Sequence, residues 1–215
     1  MDKDLYFDIL DQKHINLLPL LTPFKDNFYL AGGTALALLL GHRYSIDFDF
    51  FSPGSFSTKD LFQKVEKVFA GHQVVRTQEA NDTLTIIIDD ELKVSFFAYP
   101  YELARPLLDE GYFKIASLED IACMKLTAIT GRSFLKDYVD LYFILHNIDL
   151  EKLLKFAKEK FSTIDTNLIL KSLVYFEDIQ EEPILFKHNK EVSFKLIKKY
   201  LAKTVKEYLG EVNDK

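Results

Sequence analysis

Asp47 and Asp49 stand two residues apart in the run Ile46-Asp47-Phe48-Asp49-Phe50-Phe51, a spacing suited to holding a divalent cation. Period-two alternation predicts a strand with Ile46, Phe48 and Phe50 on one face and both aspartates on the other. A rise of about 3.3 Å per residue brings the two carboxylates within about 7 Å of each other, where they repel unless a cation intervenes. Magnesium is commonly bound by one or two carboxylates together with substrate phosphates. The pair could therefore hold a Mg2+ (or Mn2+) that bridges a nucleotide's phosphate oxygens. Asp-x-Asp by itself also lines many solvated strand faces.

Upstream, Gly32-Gly33-Thr34 joins a predicted strand, Phe28 to Ala31, to a predicted helix through Ala35 to Leu40 that ends at Gly41. The unpaired N–H groups and positive dipole end of a helix make a site for phosphate, and glycine permits close backbone approach. Strand, Gly-Gly, helix and Asp-x-Asp strand together supply phosphate donors and metal ligands, the two halves of a nucleotide site. Further on, Leu118, Ile121, Ala122 and Ile129 form an apolar stripe at helical spacing that also includes Lys125, so this lysine faces inward. Either its ammonium snorkels to solvent or it turns to a phosphate. Asp137 and Asp140 stand three apart on the next helix and could orient Lys125, contact the nucleotide or form a structural ion pair. Arg132 and Lys136 could supplement Lys125. His42 and Arg43, at the end of the first buried helix, could meet substrate or complement the helix dipole, with Arg43 read as structural or accessory.

The elements that must position these residues follow in order. The first 26 residues read as mostly helical, closed by Pro19 and Pro23. After Pro53-Gly54, Ser57 and Asp60 form a capping box for a helix carrying Leu61, Phe62, Val65 and Phe69. Val74-Val75, Leu84 to Ile88 and Leu92 to Phe97 read as antiparallel strands with turns at Asn81-Asp82 and Asp89-Asp90-Glu91. From Ser117 the chain is helical, with predicted helices from Ser117, over Phe134–His146, Leu150–Phe161, Asn167–Phe176 and Ser193–Leu209. The fold class is α+β: an N-terminal mixed sheet with helices over 1–115 and a C-terminal helical bundle over 116–215, packed on it as a second region or one continuous domain.

Composition bounds the rest. Of 215 residues, 48% are hydrophobic and 28% charged, the balance of a globular protein. No apolar run reaches the roughly 20 residues of a membrane span and the N-terminus lacks a signal-peptide pattern, so no membrane association and a cytoplasmic location are expected. Cys123 is the single cysteine and excludes an internal disulfide. A net charge of −6 argues against a protein that coats nucleic acid indiscriminately. The segment Pro183 to Leu209 is nevertheless basic, with seven lysines against two acids. It is either a solvated face or a platform for RNA phosphates.

The segment Leu30-Ala31-Gly32-Gly33-Thr34-Ala35-Leu36, followed by Gly41-His42-Arg43-Tyr44-Ser45-Ile46-Asp47-Phe48-Asp49, resembles the AbiEii/AbiGii toxin family of nucleotidyltransferases, in the DNA polymerase β-like superfamily. The resemblance runs from about Phe28 to Tyr142 and includes Ser117-Leu118-Glu119-Asp120 and Lys136-Asp137-Tyr138-Val139-Asp140-Leu141. It implies a nucleotidyltransferase-fold core in which Gly32, Gly33, Thr34, Ser45 and Lys125 bind a nucleoside triphosphate. Asp47 and Asp49 would hold the metal, and Asp47, Asp49, Lys125 and Asp137 would be catalytic. It implies transfer of a nucleotide to an acceptor hydroxyl, with RNA or tRNA as the acceptor, by the toxin of a toxin–antitoxin or phage-defence pair with a cognate antitoxin. The superfamily's third carboxylate falls here on Lys93-Val94-Ser95-Phe96-Phe97, at Ser95, a poor metal ligand and a poor base near neutral pH. Asp89, Asp90 or Glu91 from the adjoining turn could substitute. The alternative is a nucleotide-binding module impaired in transfer that acts as a sensor or partner-binding protein.

Overall fold

The computed structural model describes residues 5–213, which fall into two compact units, one running to Ser117 and the other from Leu118. The first begins with short helical pieces, a 3-10 turn at Phe7–Ile9, α1 (Gln12–Leu17) and a 3-10 stretch at Leu18–Phe24. Pro19 and Pro23 in that stretch each lack the N–H an α-helix interior needs. The chain continues as β1 (Tyr29–Ala31), α2 (Gly32–Leu40), β2 (Phe48–Ser52), α3 (Thr58–Val68), β3 (Val74–Ala80), β4 (Thr83–Ile88), β5 (Leu92–Ala98), β6 (Leu108–Asp109) and β7 (Lys114–Ile115). The second unit holds α4 (Leu118–Gly131), α5 (Leu135–Leu145), α6 (Leu150–Lys160), α7 (Thr166–Val174) and α8 (Phe194–Asn213). None of the described helices is long and apolar enough to cross a membrane.

The strands make one seven-stranded mixed sheet in the order β3-β4-β5-β2-β1-β7-β6. β5 and β2 run parallel, as do β1 and β7, and the other neighbours are antiparallel. This is the α+β class expected, with a mixed sheet and then helices. The strands β6 and β7 were not foreseen, because two residues carry no readable periodicity. Period-two alternation puts Leu84, Ile86, Val94, Phe96, Phe48, Phe50 and Leu30 on one fully buried face. Phe24 packs on Phe96 at 5.4 Å and Phe96 on Phe50 at 5.6 Å, so the helical lead-in caps the core of the sheet. Ser57 caps α3 by accepting from the N–H of Asp60 at 3.2 Å, the contact its spacing predicts.

The helix that carries the glycine turn is locked at its far end. Gly41 sits at φ +59 with its N–H bonded to the Ala37 carbonyl at 2.8 Å, the left-handed cap that glycine favours. A Cβ at Gly41 would lie 2.7 Å from the Tyr6 ring. Gly41→Ala therefore incurs both the left-handed penalty and displacement of Tyr6. We expect a loss of about 1–2 kcal/mol in urea denaturation; an unchanged midpoint would show that the helix end relaxes without cost.

In the second unit α6 and α8 are amphipathic. Leu153, Leu154 and Ala157 are buried from α6, and Ile197, Leu201 and Val205 from α8. Lys160 ends α6 with its ammonium buried against Asp120 at 2.7 Å. Cys123 lies in this interior, and burial pushes its thiol up to about 12, so it is inert packing rather than a nucleophile.

Candidate active site

The second face of the sheet carries the predicted chemistry in successive rungs. Thr85, Ser95, Asp49 and Ala31 pair across β4, β5, β2 and β1 as one rung. One rung on, Thr83, Phe97, Phe51 and Tyr29 pair in the same way. On the other side, Lys93 precedes Ser95 by two residues, and its ammonium lies 3.5 Å from the Asp47 carboxylate. Asp47 therefore keeps to the Asp49 face, as expected, although β2 begins only at Phe48. Ile46 does not join Phe48 and Phe50 in the core: it is 42% exposed, because the chain at 46–47 is still entering the strand.

The glycine turn lies directly against these acids. Gly32 has φ +73, and a Cβ there would come 3.1 Å from Asp49 Oδ2, so the carboxylate occupies space that only glycine leaves. α2 starts at Gly32, one turn earlier than the apolar run alone indicated, which puts the N–H groups of Gly33 and Thr34 in its first turn. A Cβ on Gly33 would lie 2.6 Å from Arg43 Nη2. The Arg43 guanidinium is thus laid over the first turn of α2, buried, and also donates to the Tyr44 carbonyl at 3.2 Å. The sequence offers Arg43 as structural or accessory; its closure onto the glycine turn is a tertiary contact that no spacing encodes.

Thr34 is buried, and its hydroxyl donates to the Asp47 carbonyl while pairing with the Ser45 hydroxyl at 2.9 Å. The two side chains tie α2 to the loop before β2. Ser95 is buried and accepts from the Thr85 hydroxyl at 3.4 Å. It pairs with Asp49 across β5 and β2, on the neighbouring strand where the family resemblance implies a third acid. Two of the three turn acids are engaged with other partners. Asp89 pairs with His72 at 2.6 Å and with the Gln73 N–H at 2.8 Å, contacts that hold its carboxyl below the usual range. Glu91 pairs with Lys13.

In the second unit the inward-facing Lys125 does not snorkel. Its ammonium is buried, 2.8 Å from Asp137 and 2.6 Å from Asp140, both fully buried. Arg132 donates to both Asp137 oxygens, at 2.8 and 3.1 Å. Asp137 and Asp140 therefore act together, and Arg132 belongs with them more closely than sequence reasoning placed it. Lys136 turns instead to Glu182 at 3.2 Å.

Residues 20–209 match the family described as "Nucleotidyl transferase AbiEii toxin, Type IV TA system". The chain belongs to the AbiEii nucleotidyltransferase toxin family. A relative in Aquifex aeolicus (strain VF5), an uncharacterized protein, is 40% identical over 195 residues, 86% of this chain and 89% of that protein. Among solved structures, MenT4, a nucleotidyltransferase toxin from Mycobacterium tuberculosis H37Rv, superposes with a TM-score of 0.59 at 16% identity, covering 89% of this chain and 81% of MenT4. An H. pylori protein described as a nucleotidyltransferase gives 0.56 at 18% identity, covering 95% and 98%. At those identities the structural likeness establishes the nucleotidyltransferase fold of this AbiEii-family chain, and the family assignment rests on the sequence match.

Proposed function

We propose that this AbiEii-family protein transfers a nucleotide from a nucleoside triphosphate to a hydroxyl of RNA or tRNA, using a divalent metal, as the toxin of a pair with a cognate antitoxin in the cytoplasm. The observation that carries the proposal is the Asp49 carboxylate lying against Gly32 at the first turn of α2, which joins a carboxylate to a phosphate-binding helix end. Asp47 and Asp49 are hard oxygen donors on one face, a set that suits Mg2+ or Mn2+ when phosphates supply further ligands. That ion would neutralise phosphate charge.

The chain's own groups do the rest. The N–H groups of Gly33 and Thr34, with the Arg43 guanidinium over the same turn, bind the leaving end of the triphosphate. In the second unit Lys125, Asp137 and Asp140 form a buried ion cluster of their own. The acceptor oxygen bonds to the α-phosphorus as the bond to pyrophosphate breaks, pyrophosphate leaves with the electron pair, and the hydroxyl proton passes to solvent. Phosphoryl centres react through loose transition states that ask chiefly for positioning and charge, so a missing base at Ser95 is tolerable.

A neutral hydroxyl that neither ligates metal nor takes the proton can be removed at little cost. Ser95→Ala is expected to hold transfer within about threefold of the native rate. A loss of 100-fold or more would give Ser95 a direct part in the reaction.

The second reading, a nucleotide-binding module impaired in transfer, is favoured by Ser95 alone. Incubating the protein with each of four α-labelled triphosphates, total RNA and lysate protein, with Mg2+ or Mn2+, separates the two. Label entering RNA supports the enzyme, and metal-dependent triphosphate binding without transfer supports the module.

A further inference from the structure

Beyond the Asp49–Ser95 rung the sheet face turns aromatic. Phe51 follows Asp49 by two residues, Phe97 follows Ser95 by two and Tyr29 precedes Ala31 by two, so all three rings share the carboxylate face. The alternation of β5 continues past its end to Tyr99 and Tyr101. Ring centroids lie 6.1 Å apart for Tyr29 and Phe51, 5.4 Å for Phe51 and Phe97, 5.6 Å for Phe51 and Tyr99, and 4.8 Å for Tyr99 and Tyr101. Tyr29 is buried, Phe51, Phe97 and Tyr99 are half-buried, and Tyr101 is 43% exposed. The segment is pinned where it leaves the sheet, since the Tyr99 N–H donates to the Ser52 carbonyl at 2.7 Å and the Tyr101 N–H to the Tyr99 carbonyl at 2.8 Å. The result is a ledge of rings rising from the core to solvent.

Its position along the strands gives it meaning. β1 and β2 are antiparallel, so the glycine turn after Ala31 and the entry to β2 at Asp47 lie at one end of the face, Asp49 in the middle and the ledge at the other end. In-line displacement sets the leaving group and the attacking oxygen on opposite sides of the phosphorus. With pyrophosphate held at the glycine turn, the attacking hydroxyl comes from the ledge side. We infer that the ledge receives the terminal base of a single-stranded RNA acceptor, which stacks on Tyr101 and its neighbours and so brings its sugar hydroxyl to the α-phosphorus beside Asp49. The direction of attack rests on the nucleotidyl-transfer reading. The chemistry of the occupant rests on the rings: every base has a π-face, and stacking on aromatic side chains recognises unpaired bases whatever their sequence. No charged side chain belongs to the ring set, so it offers nothing selective to a charged peptide.

The test measures binding rather than transfer, so that failure of the two readings can be told apart. A short fluorescein-labelled oligoribonucleotide is titrated with native protein, Tyr101→Ala and Tyr101→Phe, beside a probe identical except that its terminal nucleotide lacks the base. The native protein is expected to prefer the intact probe by about 10-fold, the worth of one stacked base. Tyr101→Ala is expected to abolish that preference and Tyr101→Phe to keep it, with metal-dependent triphosphate binding unchanged in both. Equal affinity of the native protein for the two probes overturns the inference, as does a preference that survives Tyr101→Ala. Label transfer into protein hydroxyls without base-dependent RNA binding overturns it as well. Absence of all label transfer, with the base preference intact, overturns nucleotidyl transfer and leaves the stacking surface standing.

Discussion

Replacing Lys125 by methionine is expected to lower the thermal midpoint by about 10 °C. Its ammonium answers two fully buried carboxylates, Asp137 and Asp140, at 2.8 and 2.6 Å. Methionine fills the same space but leaves buried negative charge with less to balance it. Breaking a buried ion pair by removing one partner costs about 3–5 kcal/mol, which a chain of this size shows as roughly 2–4 °C per kcal/mol. Arg132 also pairs with Asp137. The double variant Lys125→Met/Asp140→Leu, which removes one buried carboxylate together with the ammonium, should melt above Lys125→Met alone. The control is Lys203, whose contact with Glu207 at 3.5 Å lies in solvent and whose replacement by alanine should leave the midpoint unchanged. If Lys125→Met melts like the control, the cluster is not the buried charge network described.

Asp49→Asn should act in the opposite pattern, on activity and not on stability. It keeps the shape of the side chain against Gly32 while removing the charge paired across the sheet with Ser95. Loss of a single charge-stabilising group at a reacting centre lowers rates by about 10²–10³-fold. We expect a loss of transfer of about 10³-fold, because the residue paired with Asp49 on β5, Ser95, is a neutral hydroxyl that cannot share the load. The melting curve should change little, since the amide keeps the shape of the side chain against Gly32. Transfer that continues within 10-fold of native would remove Asp49 from the reaction.

Much of the sheet and its charged face could be read from sequence because strong periodicities meet there. Alternation from Phe48 to Phe51 and from Leu92 to Phe97 set the inward faces, and Gly32-Gly33 marked the helix entry. Ile46 and the two-residue strands escaped for the same reason in opposite directions: alternation carries on in the letters where the backbone has not yet entered the sheet, and very short strands are held by neighbours rather than by pattern. Ser95 was legible as a departure, but its pairing with Asp49 needed the register. Lys93 against Asp47 and Arg43 over Gly33 were not legible, since each joins residues through tertiary placement that no spacing encodes. Lys125 was read correctly as inward, yet its capture by two acids depends on α5 meeting α4, which periodicity cannot supply.

The most direct test of nucleotidyl transfer compares the same nucleoside triphosphate labelled at the α- and at the γ-phosphate, with native protein, a divalent metal and RNA. Nucleotidyl transfer requires α-label to become covalently bound to the acceptor while γ-label is released as pyrophosphate, both lost in Asp49→Asn. Transfer of γ-label to the acceptor would make the reaction a phosphorylation and contradict it, as would free orthophosphate with no label on any acceptor.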